Sequence, residues 1–196
     1  MLRLSILRKG NMMPANRKSP ASRYRAPSIG IHWLMLLLFV AVYGTIELRQ
    51  LFEKGSDPRE ALKTWHFMLG MLAFALAWLR LAARLSDPAP AAHPGLPGLQ
   101  YLSSRLLHLA LYVLMIGMPL TGWLVLSAAG KPIPFFGLEL PALIGENKAL
   151  ARQIKELHET VGTLGYVLIG GHAMAALYHH YIKRDGTLMR MLPGRD

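Results

Sequence analysis

Two histidines, His158 and His172, share one apolar stretch, LHETVGTLGYVLIGGHAMAALYHHYI (157–182), which has no charged residue from Thr160 to Ile182. They stand 14 residues apart. At 100° per residue, 14 steps return to within about 40° of the starting direction, so on a helix both imidazoles project from one face, roughly 21 Å apart along the axis. Ionisable rings inside a membrane span are costly and mark function. Two more histidines, His66 and His32, fall within other apolar runs. By position, His66 and His158 lie near one end of their spans. His32 lies near the other end, at the depth of His172. His179, seven residues beyond His172 on nearly the same face, also reaches that depth, so depth alone leaves both open as partners of His32.

Two imidazoles presented by facing helices are what a b-type haem requires, one on each side of the porphyrin. Two such levels predict two haems. The glycines and alanines around these histidines (Gly70, Gly162, Gly165, Gly170, Gly171, Ala173) would leave room for a flat macrocycle, and they equally suit close helix packing. A single zinc or copper ion would need its ligands to converge on one point. A proton relay would favour carboxylates within the spans, and there are none. The chain has no cysteine, which removes thiolate sites, iron–sulfur clusters and covalent haem attachment. Haem propionates are anions that meet Arg or Lys near a surface: Arg25 and Arg80 are candidates at one level and Lys155 at the other.

Positioning these rings requires membrane helices. Hydrophobic residues make up 53% of the 196-residue chain and charged residues 17%, against roughly 25% in soluble domains. Charge-free runs cover Ala26–Ile46, Thr64–Leu79, Leu106–Gly130 and Thr160–Ile182; with snorkelling ends each reaches the length of about 20 residues that crosses a bilayer. The expectation is an all-α, integral membrane four-helix bundle, with helices over about 27–48, 60–84, 103–127 and 157–182 and a kink at Pro119. The transmembrane domain would cover 26–183, between a basic tail at 1–25 and a second tail at 184–196. A short surface helix is expected in the second half of the loop before the fourth span. His93, in the Pro/Gly-rich connection DPAPAAHPGLPG, is read as solvent-exposed and without a role, and Met12 or Met13 is an alternative start to Met1.

The net charge is +11. Of 22 Lys/Arg, 14 lie on the side of the two termini together with 3 of the 11 acidic residues, so the excess is confined to that side. The positive-inside rule then puts both termini in the cytoplasm. A nucleic-acid partner would require a basic face with stacking aromatics, which is not evident.

The segments RYRAPSIGIHWL, IELRQLF, WHFMLG, RLLHLALYVLMIGMPLTGW, FFGLELP and LHETVGTLGYVLIGGHAMAALYHHYIKRDGTLMRMLP resemble, in order, those of the bacterial cytochrome b561 family, di-haem quinone-linked membrane cytochromes. The resemblance covers about residues 22–193 and leaves out the N-terminal extension. It implies His32 with His172 for an inner haem and His66 with His158 for an outer one, which favours His172 over His179. It also implies a multi-pass protein of the bacterial inner membrane and ubiquinone/ubiquinol as a redox partner. A periplasmic one-electron partner, superoxide, would make the protein an oxidoreductase. His108, with Arg80, is a candidate for the quinone site. The alternative is a cytochrome b anchor subunit that relays electrons from a hydrogenase or dehydrogenase partner to quinone.

Overall fold

The computed structural model describes residues 23–86 and 98–194. The N-terminal tail up to residue 22, with Met12 and Met13, lies outside the described residues, as do His93 and most of its connection. Four long helices dominate: α1 (Ala26–Leu48), α2 (Asp57–Ser86), α3 (Gly98–Ala128) and α4 (Lys148–Tyr178). Each is long and apolar enough to cross a membrane. Pro27 opens α1 in the first turn, where a missing N–H costs nothing. Asn147 caps α4, its side-chain oxygen accepting from the Leu150 amide at 3.0 Å. The α3 helix runs on through Pro119 to Ala128.

The start of α4 differs from expectation. The separate surface helix expected before the fourth span is continuous with that span. The reason is local: Asn147 caps the chain nine residues earlier than the charge pattern suggested, and its amide donates to the Ala128 carbonyl at 2.8 Å, which sets the helix start against the end of α3. The loop between α3 and α4 also forms a short antiparallel hairpin, β1 (Pro134–Phe135) with β2 (Leu138–Glu139). Trp123 Nε1 ties the loop down by donating to the Pro141 carbonyl at 2.9 Å. The α1–α2 loop is held in the same way by Arg59, which donates to the carbonyls of Arg49 and Phe52 at 3.0 and 2.7 Å.

Large apolar side chains face outward along the helices, Leu37 at 67% exposure and Val167 at 73% among them. In water such a surface would drive aggregation; in a bilayer it is matched by lipid. The tightly buried core is small, centred on Met35, Leu38, Ala73, Ala77 and Met115 from the first three helices. Helix α4 packs along α3 and stands off from α1 and α2. Two polar links cross that gap: the Tyr43 hydroxyl donates to the Gly162 carbonyl at 2.9 Å, and the Tyr166 hydroxyl donates to Glu47 at 2.6 Å. Gly165 is required where Tyr43 meets α4, because a Cβ there would collide with the Tyr43 hydroxyl. Gly165→Ala is therefore expected to cost about 1–3 kcal/mol as an overpacking change. Most of that loss should be recovered in combination with Tyr43→Phe. Thermal unfolding in detergent reads both; a Gly165→Ala protein that melts like the parent contradicts the contact.

Candidate functional site

The standing-off of α4 leaves a cavity of ≈ 900 Å³ at the end of the bundle opposite the two chain termini, named the outer end after the expected orientation, lined from all four helices. His66 of α2 and His158 of α4 face each other across it, ring centres 6.3 Å apart and planes at 81°. At the inner end His32 of α1 faces His172 of α4, ring centres 6.1 Å apart and planes at 83°. Two metal–imidazole bonds of about 2 Å, with about 1.1 Å from each nitrogen to its ring centre, put two rings on opposite sides of one iron about 6 Å apart. Both pairs match that separation. Among the described residues no three His, Asp or Glu side chains converge as a mononuclear metal site would require.

The outer rings are oriented by hydrogen bonds at Nδ1. His66 Nδ1 lies 3.0 Å from the Val42 carbonyl, which can only accept, so Nδ1 carries the proton. His158 Nδ1 lies 2.9 Å from Thr121 Oγ1. Thr121 uses its own hydroxyl hydrogen to donate to the Met118 carbonyl at 2.8 Å, so it accepts from His158. Both rings are thereby set with Nδ1 protonated and Nε2 as the free lone pair, the tautomer that binds a metal. Gly70, one turn from His66, lines the cavity, and a Cβ there would meet nothing within 4 Å.

Around the outer cavity stand six basic side chains, Arg49, Lys63, Lys131, Lys148, Arg152 and Lys155, against two acidic ones, Glu47 and Glu159. The Nε of Arg49 is buried and lacks a hydrogen-bond partner, so a buried donor beside this cavity awaits an acceptor. Lys155 pairs with Glu159 at 2.7 Å, Lys63 with Glu60 at 2.5 Å and Lys148 with Glu146 at 3.4 Å. These exposed pairs hold little energy, and among the described residues Arg49, Lys131 and Arg152 of this rim are in no ion pair.

At the inner level His172 also has His108 of α3 beside it, ring centres 5.4 Å apart, and His32 packs its ring on Trp33 at 5.6 Å. His108 is turned by its own helix, its Nδ1 lying 2.6 Å from the Ser104 carbonyl. Arg80 is hydrogen-bonded to Tyr112. Arg25 is exposed at the N-cap of α1. His179 does not face His32. Both its nitrogens are engaged elsewhere, Nε2 with Gln100 at 3.0 Å and Nδ1 with Asp185. Burial pushes the Asp185 carboxyl up, but hydrogen bonds from Thr187 and His179 outweigh it and hold the group at about 2. The ionised Asp185 anchors the C-terminal turn, which continues to Met191, whose carbonyl accepts from Trp33 Nε1 at 2.6 Å. The tail thus braces the start of α1 beside His32.

Sequence reasoning missed Thr121 and the Val42 carbonyl, and it did not single out Lys131, Lys148 or Arg152 as neighbours of one cavity. The one signal for Thr121 is a hydroxyl in the middle of the uncharged third span, beside Gly122 and just after Pro119.

A family model described as prokaryotic cytochrome b561 matches residues 23–194. Cytochrome b561 homolog 1 of Escherichia coli K12 is 36% identical over 176 residues, which cover 89% of this chain and 99% of the relative. A Yersinia pestis protein named "Probable superoxide oxidase CybB" is 35% identical over 175 residues, 87% of this chain and 96% of the relative. Cytochrome b561 homolog 2 of Escherichia coli K12 is 30% identical over 171 residues, 87% and 91% of the two chains.

Proposed function

The chain belongs to the prokaryotic cytochrome b561 family, haem-binding electron-transport proteins of bacterial membranes, and from that premise we propose that it carries two b haems and passes electrons from superoxide to ubiquinone across the inner membrane. The observation that carries this reading is the pair of opposed histidine couples, at separations of 6.3 and 6.1 Å and at opposite ends of the bundle.

The residues present fit the group. His66 and His158 would hold one haem, His32 and His172 the other, and without cysteine no covalent attachment is available. The open space at Gly70 and the unpartnered Arg49 Nε suit a macrocycle edge and a propionate at the outer level. Arg80 and Arg25 are proposed for propionates at the inner level and Lys155 as a further outer one. When bound, haem supplies a one-electron iron couple. The protein keeps His66 and His158 in their ligating tautomer and orientation, and its apolar helix faces exclude water and lower the local dielectric. The outer cations draw a small anion towards the cavity from a distance. Superoxide needs only to lose one electron to become dioxygen, so no general base is demanded of the outer face. Ubiquinone must gain two electrons and two protons. His108, exposed beside His172, is the proposed neighbour of the quinone.

The name of the Yersinia pestis relative supports superoxide as donor, and both termini are assigned to the cytoplasm by their basic charge. The test is to mix the purified protein with an enzymatic superoxide source and follow the b-type absorption, then add ubiquinone. The expected result is haem reduction that superoxide dismutase suppresses, followed by reoxidation with quinone, with no second protein present. Reduction that occurs only with an added dehydrogenase or hydrogenase would favour the anchor-subunit reading.

A further inference from the structure

The structure carries one residue-level consequence beyond ligation. We infer that Thr121 is the positioning residue of the outer site: through His158 it sets both the hold on the outer haem and its reduction potential. The inference rests on the proposed ligation by His158.

The geometry assigns each hydrogen in turn. Thr121 lies within a helix, where a threonine hydroxyl commonly bonds back to a carbonyl one turn earlier. Here it donates to Met118 at 2.8 Å, which fixes the hydroxyl rotor. Its oxygen lone pairs then point away from α3, and His158 Nδ1–H meets them at 2.9 Å. Gly122 lies alongside the ring, and a Cβ there would sit 3.4 Å from His158 Cε1, in van der Waals contact. The ring therefore lies on α3 with one edge bonded and Nε2 facing the cavity shared with His66.

An acceptor on Nδ1–H draws that proton outward and makes Nε2 a stronger electron donor. A stronger donor favours ferric over ferrous iron and lowers the potential. His66 receives the same treatment from a backbone carbonyl, Val42, which also accepts from the Thr45 hydroxyl at 2.8 Å. No side-chain substitution can delete that backbone acceptor. His158 likewise has a backbone partner, the Met118 carbonyl, so Thr121 is the acceptor at this ring that a side-chain substitution can remove. At the inner level the rings instead lean on Trp33 and His108.

The test is Thr121→Val, which keeps the shape and removes the hydroxyl, with Thr121→Ala and Thr121→Ser beside it. Redox titration of the purified proteins by b-type absorption reads the potentials, and haem per chain reads the hold. With both haems retained, Val and Ala should raise one component only. Its reduced-to-oxidised ratio at a fixed ambient potential should rise by about threefold to tenfold, tenfold being 59 mV for a one-electron couple; Ser should restore the parent value. If Val and Ala instead shed one haem while Ser keeps two, the positioning role is equally supported. Unchanged potentials with full occupancy overturn the inference, and so does loss of haem in the Ser protein, which would point to packing and not to the hydroxyl. A parent protein without haem overturns the ligation reading itself, a result the titration distinguishes from either.

Discussion

His66→Ala or His158→Ala should leave one haem per chain where the parent carries two, with the remaining b-type absorption unaltered in position. The reason is geometric. His66 faces His158, and His32 faces His172, which also has His108 beside it; the two pairs come from different helix pairs, and only α4 serves both. Deleting one imidazole would remove one of the two side chains that would hold a haem at that level and would leave the other level, roughly 21 Å away along α4, untouched. His32→Ala and His172→Ala should delete the complementary component. His179→Ala should delete neither, because that ring is committed to Gln100 and Asp185. Haem extraction against protein concentration reads all five proteins. A single histidine change that empties both levels, or a His179→Ala protein that loses a haem, contradicts the assignment.

Neutralising the outer rim should slow the reaction with superoxide and leave haem content intact. Lys63, Lys131 and Arg152 line the outer cavity and are not the groups assigned to propionates. Converting all three to glutamine lowers the excess of six basic over two acidic lining side chains by three. Steering by a focused field changes on-rates by about 10–10³-fold and weakens with added salt. The expected effect is about a tenfold lower second-order rate with superoxide and a flatter dependence on ionic strength. Reduction by ubiquinol, which is neutral, should proceed at the parent rate and serves as the control. If both donors slow equally, the rim acts on the haem and not on the approach of the anion; if neither slows, the cations have no steering role.

Much of this was legible in the sequence because a bilayer imposes a coarse, one-dimensional code. Charge-free runs of membrane length mark spans, and once the spans are set, the depth of each histidine follows from counting. The two histidines of the fourth span could be matched by depth to His66 and His32 before any contact was known. Depth could not separate His172 from His179, which lie seven residues apart on nearly one face. In the structure His179 is engaged by Asp185, where α4 ends in a π-helical turn and Arg184 adopts a left-handed conformation. Helical periodicity carries no signal for such a turn. The start of α4 was misjudged for a related reason. Arg152, Lys155 and Glu156 read as a loop or surface segment on hydropathy, yet Asn147 caps a helix that simply projects beyond the lipid. Thr121 was invisible because its meaning depends on a ring 37 residues away in sequence. The gathering of six cations at one rim likewise depends on where the α1–α2 and α3–α4 loops and the adjoining helix ends meet.

The central claim is that two opposed histidine pairs make two one-electron sites in one chain. Haem quantitation of the purified 21.8 kDa protein, combined with a reductive titration of its b-type absorption, tests it most directly. Two haems per chain and two one-electron components of equal amplitude are expected. A chain that binds one haem or none when supplied with excess, or that titrates as a single component lost with any one of the four histidines, would contradict it.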